Sequence, residues 1–427
     1  MSAKNDEKCG MLKSMKERNT DWLYDFFEFD KNNEVNRVGF NDAHMRCVAM
    51  LIKKLQELGM TVTYDHALNV RGTIGDGAKS LAILSHADSA KDAGQYDGLA
   101  GVVAGILTTQ KILELKKEIL ADMNLNVVIT GLEEVERFGV GCISSKILSG
   151  DITDEQLDRI KDKDGITVRE ALVTAEETLL KHLDRLSAKP IKKVDNIVGK
   201  SEIDHALEMH IEFGSALTRE GADIGVVDEI AAVHRFGIDA QGEPAHPGTP
   251  MDERVDAALA ANMLYTDLHR IAKGEGNLLT QLLTETSDWN LATSMPSVSQ
   301  LYDARLFAPW THERMQEEVS KLIERVEKET GVKITSNILS TSETKIMPEE
   351  GVQRLMGATK KAGLKVSSKP CKSEGGHDIV RFPSQKPGMI FVPKKGRLHH
   401  PSETMKEESL HHAASVMTEY AKDIEMD

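Results

Sequence analysis

The sequence predicts an α/β protein of two domains. Its 427 residues exceed what one hydrophobic core usually supports, and its 40 % hydrophobic and 28 % charged residues are typical of a folded globular protein. Short apolar runs typical of buried strands alternate along the chain with amphipathic helical segments. The stretch 222–340 has an alternation of its own, which predicts an inserted domain.

Spacing and end signals place the individual elements. Asn41 is a suitable N-cap for a helix over 41–58, which Gly59 ends. Residues 207–213 alternate between apolar and polar side chains, as expected of a strand. The other elements predicted outside the insertion are strands at 81–84, 125–130 and 389–392 and helices at 99–116, 349–362 and from about 403.

Inside the insertion, the pattern runs strand, helix, strand, helix, strand. The predicted elements are 232–240, 252–272, 298–306, 312–330 and 332–338. We therefore predict a discontinuous domain formed by residues 1–221 and 341–427, and a smaller domain formed by residues 222–340.

The net charge of −15 argues against anionic partners such as nucleic acids and anionic membranes. No apolar stretch approaches the length of a membrane span, and the first residues are polar, without the apolar core of a secretory signal. The four cysteines show no CxxC spacing, which is typical of reduced thiols. We therefore expect a cytoplasmic protein that binds neither nucleic acid nor membrane.

Candidate metal ligands follow the ends of three predicted buried strands, which is where open α/β sheets place their sites. They are His86 and Asp88, Glu133 and Glu134, and His399. Two further candidates lie elsewhere. His210 falls within or near the end of its own strand, and Asp97 stands before a helix, which its carboxylate can cap unless it binds metal.

These residue types suit a pair of divalent cations, since imidazole and carboxylate groups bind Zn²⁺, Mn²⁺, Co²⁺ or Ni²⁺. A two-cation site needs one carboxylate that bridges the ions and another that takes a proton from water. Glu133 and Glu134 can divide those tasks, and Asp88 can accept the free ring N–H of His86. Each motif alone is common on protein surfaces, so the combination carries the prediction. Other histidines, including His44 and His182, are interpreted as surface residues.

Two strings resemble the signatures of the M20 metallopeptidase superfamily: LSHADSAKDAGQYDGLAGVVAGI (84–106) and GLEEVERFGVG (131–141). Further segments resemble the branch with N-carbamoyl-L-amino-acid hydrolases, allantoate amidohydrolases and ureidopropionases. They are DGITVREAL, LEMHIEFGSALTREGADIGVV, GEPAHPGTPMDERVDA, SEGGHD and HHPSE. The resemblance spans about residues 35–425.

The resemblance implies two divalent metal ions per subunit. His86, Asp97 and His210 would hold one ion, and Asp97, Glu134 and His399 would hold the other, so that Asp97 bridges them. Glu133 would act as general base and then as acid. The fold implied is a catalytic α/β domain, assigned here to 1–221 and 341–427, with an inserted α+β lid at 222–340 through which two subunits form a homodimer.

The resemblance also implies residues that contact the substrate. His246 would reach the neighbouring subunit's site and stabilise the developing oxyanion. Arg305 would bind a substrate carboxylate as a bidentate fork. His377 would line the substrate site without binding metal.

The chain departs from the pattern around the substrate. Phe213 stands where the family usually has Gln, and the motif after His246 is one residue shorter. The family's substrate-binding Asn before Arg305 is missing or displaced, with Asn290 nearby. These departures leave the metal motifs intact and affect the choice of substrate.

The predicted function is hydrolysis of the C–N bond in a small, polar, carboxylate-bearing N-carbamoyl or ureido compound. One alternative is a dipeptidase or N-acyl-amino-acid hydrolase of the same fold. A second is a non-catalytic binding or scaffolding dimer, which is disfavoured because all five ligands remain beside Glu133. A third is thiol catalysis by Cys371 near His377, for which no activating arrangement is evident.

Overall fold

The structure is a computed structural model that describes residues 36–115, 119–198, 203–286 and 291–425. The helices in these ranges are α1 (Asp42–Glu57), α2 (Leu99–Leu115), α3 (Ile119–Asp122), α4 (Ile143–Ser149), α5 (Asp154–Arg159), α6 (Val168–Arg185), α7 (Ala216–Glu220), α8 (Ala257–Gly274), α9 (His312–Thr330), α10 (Glu349–Lys361) and α11 (Glu407–Glu425). None of the helices described is both long and apolar enough to cross a membrane.

The strands of the described residues are short to medium in length. They are β1 (Thr61–Tyr64), β2 (Val70–Ile74), β3 (Lys79–His86), β4 (Met123–Thr130), β5 (Lys192–Lys193), β6 (Ile203–Ile211), β7 (Gly225–Ile230), β8 (Ala232–Gln241), β9 (Leu278–Glu285), β10 (Ser297–Leu306), β11 (Lys333–Thr341), β12 (Lys345–Ile346), β13 (Cys371–Ser373), β14 (Ser384–Val392), β15 (Lys394–Lys395) and β16 (Thr404–Met405).

The chain divides into two compact units. The described residues within Met1–Val226, Pro348–Pro370 and His377–Asp427 form unit 1, and those within Val227–Met347 and Cys371–Gly376 form unit 2. Both ends of the insertion lie a few residues later than the predicted 222–340. The segment Cys371–Gly376 joins unit 2 because β13 pairs with β7, a long-range contact that local sequence patterns do not reveal.

Unit 1 is built on a mixed sheet with the strand order β14-β6-β3-β4-β2-β1-β5. The four strands β14, β6, β3 and β4 are mutually parallel, so their carboxyl ends lie at one edge. Helix α2 is buried over most of its length and packs against α11 and β3. An apolar helix of this kind covers a sheet whose central strands are themselves apolar on both faces.

Unit 2 contains a four-stranded antiparallel sheet with the order β11-β8-β10-β9. Helices α8 and α9 cover it, and the core between them includes Phe236, Tyr302, Leu264 and Val319. This two-layer arrangement is the expected solution for a sheet with one apolar face. Strand β9 was not predicted, because its sequence LLTQLLTE places leucines in adjacent pairs and not at a period of two.

The α/β class and the insertion are confirmed, and so are the main elements. The helix predicted at 41–58 is α1, and the Asn41 side chain accepts the backbone N–H of His44 as an N-cap. His44, however, was wrongly interpreted as a surface residue, as was His182: both are buried. Each lies on the buried face of its helix, although the hydropathy of histidine alone would place the side chain in solvent.

The turn that leads from the β3 loop into α2 has room for glycine only. Gly98 adopts φ +65°, and a Cβ added there would lie 2.3 Å from the His86 ring. Gly139 has a similar φ of +71° but nothing within 4 Å of its hypothetical Cβ.

Gly98→Ala is therefore expected to destabilise the metal-free protein more than Gly139→Ala. Both variants carry the cost of a left-handed alanine, about 1–2 kcal/mol, and overpacking against His86 adds roughly 1–3 kcal/mol for Gly98 alone. Urea unfolding followed by circular dichroism measures the difference. Equal midpoints for the two variants would show that the His86 ring moves aside without cost.

Candidate metal centre

Unit 1 brings three side chains from separate segments into one candidate ligand group. His86 ends β3, Asp97 precedes α2 and His210 lies near the end of β6. One ligand atom from each lies within 4.8 Å of the other two. Oδ1 of Asp97 is 2.6 Å from Nε2 of His210 and 3.7 Å from Nε2 of His86.

A second candidate group shares Asp97. It contains Glu134, which follows β4, and His399, which lies between β15 and β16. Nε2 of His399 is 3.1 Å from Oδ2 of Asp97 and 3.5 Å from Oε1 of Glu134. The two oxygens of Asp97 therefore face different groups, which is the arrangement of a carboxylate between two cations.

In two of the histidines, a hydrogen bond at Nδ1 determines which ring nitrogen carries the lone pair. Nδ1 of His86 lies 3.1 Å from the carbonyl oxygen of Asp88, and Nδ1 of His210 lies 2.9 Å from that of Ile211. These carbonyls can only accept, so each Nδ1 carries the proton and each neutral ring presents a lone pair at Nε2. In both cases that lone pair faces Asp97.

Asp97 needs a cation in this setting. It is buried, and its Oδ1 faces the Nε2 atoms of His210 and His86, which present lone pairs when the rings are neutral. Burial alone would lower the pKa of His210, but the Asp97 carboxylate raises it to about 9, and the contact with Asp97 raises the pKa of His399 to about 9 as well. In the absence of metal, protons therefore have to fill the gaps that divalent cations fill in a site of this composition.

The carboxyl groups of the site repel one another. Burial, together with the nearby Asp97, raises the pKa of Glu134 to about 7. Burial also raises the pKa of Glu133 well above its usual range. The charge of His86 opposes this rise, and the charge of Glu134 adds to it. An excess of buried negative charge of this kind fits the predicted pair of divalent cations, so the residues present suit the group.

Glu133 lies beside the two candidate groups without belonging to either. Its Oε2 is 3.8 Å from Nε2 of His86, and its Oε1 accepts a hydrogen bond from the Cys142 thiol at 3.4 Å. Sequence analysis did not single out Cys142. Burial raises the pKa of this thiol well above its usual range, so it is a neutral donor to Glu133 and not an activated nucleophile.

Asp88 connects the two sequence motifs of the site. Its carboxylate accepts the backbone N–H groups of Glu133 at 3.2 Å and Glu134 at 3.0 Å, and it lies 3.3 Å from Nδ1 of His86. The side chain therefore orients an imidazole on β3 and the turn after β4 at the same time. The predicted contact with His86 is present, whereas the two backbone contacts were not foreseen.

Arg37 is a further residue that sequence analysis missed. Its buried guanidinium donates to the carbonyl oxygens of Ala87 at 2.8 Å and Gln95 at 3.3 Å. Both carbonyls belong to the loop between His86 and Asp97, so Arg37 holds that loop at its two ends. The N-terminal position of this arginine, 50 residues before its first acceptor, gave no local signal.

Aromatic rings surround His210. The Phe213 ring is stacked on it at 5.5 Å, and the buried His377 ring meets it edge-on at 4.8 Å. Phe213 and His377 also contact each other at 5.5 Å. The structure thus brings two predicted substrate residues, Phe213 and His377, together beside the first ligand group, where their rings form a surface of low dielectric constant.

Two buried carboxyl groups lie behind His377. Oε1 of Glu208 is 3.8 Å from Nδ1 of His377, and Asp378 accepts hydrogen bonds from Thr130 and Ser145. Burial and the charge of Asp378 raise the pKa of Glu208 to about 8. The alternation of β6, which puts Glu208 on the same face as His210, was the available signal for this residue.

Arg305 belongs to unit 2, where its guanidinium already has partners. It pairs with Asp303, and Nη1 donates to the carbonyl oxygen of Glu374 at 3.0 Å. These contacts use Nε–H and one N–H on each terminal nitrogen, which leaves one N–H on each for another acceptor.

His246, also in unit 2, is exposed, and its Nδ1 accepts the backbone N–H of Gly248 at 3.0 Å. The neutral ring with this bond carries its proton on Nε2, which has no acceptor among the described residues. Asn290 lies outside the described residues. Cys371, the predicted alternative nucleophile, is half-buried on β13.

Known proteins resemble this chain over most of its length. An N-carbamoyl-L-amino-acid amidohydrolase from Pseudomonas sp. (strain NS671) is 26 % identical over 387 residues, 87 % of this chain and 89 % of that protein. A ureidoglycolate hydrolase from Arabidopsis thaliana is 28 % identical over 398 residues, 90 % and 81 % of the two chains.

Solved structures agree on the fold. An amidase of the hydantoinase/carbamoylase family from Burkholderia multivorans matches with a TM-score of 0.80 at 23 % identity, covering 93 % of this chain and 96 % of that one. The profile of peptidase family M20/M25/M40 matches residues 85–423, a span that includes every candidate ligand. The resemblance read from the motifs is thus confirmed, and the chain belongs to peptidase family M20/M25/M40.

Proposed function

We propose that this protein is a two-metal amidohydrolase that cleaves the C–N bond of an N-carbamoyl or ureido compound. The observation that carries the proposal is the pair of ligand groups that share Asp97, with Glu133 beside them and in neither. Relatives named for amidohydrolase activity on carbamoyl and ureido compounds support the substrate class.

His86, Asp97 and His210 would hold one cation, and Asp97, Glu134 and His399 the other. When bound, two such cations polarise a carbonyl group and lower the pKa of water. The ligand chemistry fits Zn²⁺, Mn²⁺, Co²⁺ or Ni²⁺.

Glu133 would take the proton from the attacking water and deliver it to the leaving nitrogen. Burial supports this role, because it raises the pKa of the carboxyl group and so makes the carboxylate a stronger base. The Cys142 thiol, which donates to Oε1, leaves Oε2 as the oxygen free to accept that proton. Asp88 would keep the backbone of Glu133 and the ring of His86 in place.

The substrate is proposed to be small, polar and carboxylate-bearing. Among the described contacts, Arg305 keeps one N–H on each terminal nitrogen, and such a pair of donors suits a carboxylate. The free Nε2–H of His246 suits a donor to a developing oxyanion, which in the proposed homodimer would be that of the other subunit. His377 and Phe213 would line the site, and Asn290 is proposed to contact the substrate on sequence grounds alone.

The metal content of two variants distinguishes a metal ligand, Asp97, from the proposed general base, Glu133. Asp97→Ala is expected to lose both cations, because each candidate group needs it, whereas Glu133→Gln is expected to keep two per chain. Turnover should fall in both, by about 10²–10⁴-fold for Glu133→Gln. Elemental analysis after gel filtration gives the metal count. Loss of metal from Glu133→Gln would make this residue a ligand and contradict the assigned roles.

The substrate class is tested by a panel given to the metal-reconstituted protein, with and without chelator. The panel contains N-carbamoyl amino acids, allantoate, 3-ureidopropionate, N-acetyl amino acids and dipeptides. Chelator-sensitive release of the amine from a carbamoyl or ureido compound is the expected result. Activity on dipeptides or N-acetyl compounds alone would favour the peptidase or acylase alternative, and Phe213 would then be the residue to exchange.

A further inference from the structure

His399 is the candidate ligand that most needs outside support. Its side chain is 46 % exposed, whereas the other four ligands are buried. Its backbone adopts φ +52°, the left-handed region, which is unfavourable for an L-residue other than glycine. It lies in the loop between β15 and β16, a pair of two-residue strands. Such a short hairpin does not by itself fix a strained turn.

Glu403 supplies a direct contact to that strained residue. Its Oε2 accepts the backbone N–H of His399 at 3.0 Å, and its own backbone N–H donates to the carbonyl oxygen of His400 at 2.8 Å. The Glu403 side chain is buried, so this hydrogen bond is shielded from competing water. The loop is therefore closed from inside by one carboxylate.

The same side chain packs against a second ligand-bearing segment. A Cβ added to Gly94 would lie 2.4 Å from Cβ and Oε1 of Glu403, so the two residues are in close contact. Gly94 belongs to the loop between His86 and Asp97. Glu403 thus joins the segment that carries His399 to the segment that carries Asp97, although it is in neither ligand group.

We propose that Glu403 is a positioning residue that fixes the left-handed turn of His399 and presents its imidazole to Asp97 and Glu134. This inference rests on the proposed function, in which His399 holds the second cation. It assigns to Glu403 a selective effect on one of the two cations, because Glu403 accepts a hydrogen bond from His399 itself and, among the described residues, exchanges none with His86 or His210.

The test is calorimetric titration of the metal-free full chain with Mn²⁺ alone. The wild type is expected to bind two equivalents. Glu403→Ala should weaken one equivalent by roughly 10–100-fold, the usual effect of removing the partner of a metal ligand, and leave the other unchanged. Glu403→Gln keeps the reach and an accepting oxygen, so it should retain most of the affinity.

Two further variants sharpen the result. Glu403→Asp keeps the charge but is one methylene too short for the His399 N–H, so it should resemble Glu403→Ala. This also keeps the test decisive if the alanine variant fails to fold. Glu408→Ala removes an exposed carboxylate at the start of α11 and should bind Mn²⁺ as the wild type does.

Wild-type affinity for both equivalents in Glu403→Ala and Glu403→Asp would overturn the inference while leaving the proposed function intact. Equal weakening of both equivalents, with a lower urea midpoint of the metal-free protein, would also overturn it, because it would show a general structural role. A wild type that binds no Mn²⁺, Zn²⁺, Co²⁺ or Ni²⁺ would instead contradict the metal centre itself, and this inference with it.

Discussion

A buried carboxylate with cationic or lone-pair neighbours on both sides determines the organisation of unit 1. Asp97 is almost fully buried, and its two oxygens face imidazoles from different segments, His210 on β6 and His399 in the loop between β15 and β16. An isolated charge in such a place is strongly unfavourable unless it is paired or coordinates metal. The residues around Asp97 therefore either carry a compensating positive charge or hold in place the residues that carry one.

The candidate ligands are each held by contacts from other parts of the chain. Asp88 orients His86 and the turn with Glu133 and Glu134, Arg37 spans the loop between His86 and Asp97, and Glu403 contacts His399. Contacts of this type set ring tautomers and loop geometry, and their removal typically lowers metal affinity by roughly 10–100-fold. The site is thus a property of several segments and not of five side chains.

The surroundings also tune the acid–base chemistry. Aromatic rings pack around His210, and burial raises the pKa of Glu133. Glu133 is left between an imidazole on one oxygen and a thiol on the other. A carboxylate in such a setting accepts a proton more readily than one in water, which is what the proposed reaction requires of it.

Much of this protein follows from local sequence. The α/β class, the insertion, the helix that starts after Asn41 and the placement of His86 and Glu133 after apolar strands are recorded in hydrophobic periodicity and end signals, because each depends on neighbouring residues. The same signals did not predict strand β9, the burial of His44 or the membership of Cys371–Gly376 in unit 2.

Only the tertiary structure decided which side chains meet. Four features depend on contacts between segments that sequence spacing does not specify. They are the two ligand groups that share Asp97, the contact of Arg37 with the loop, the thiol beside Glu133 and the carboxylate that bonds to the turn of His399. The physical reason is that burial, tautomer and hydrogen-bond partners arise from packing between distant segments, whereas the sequence directly encodes preferences over a few residues.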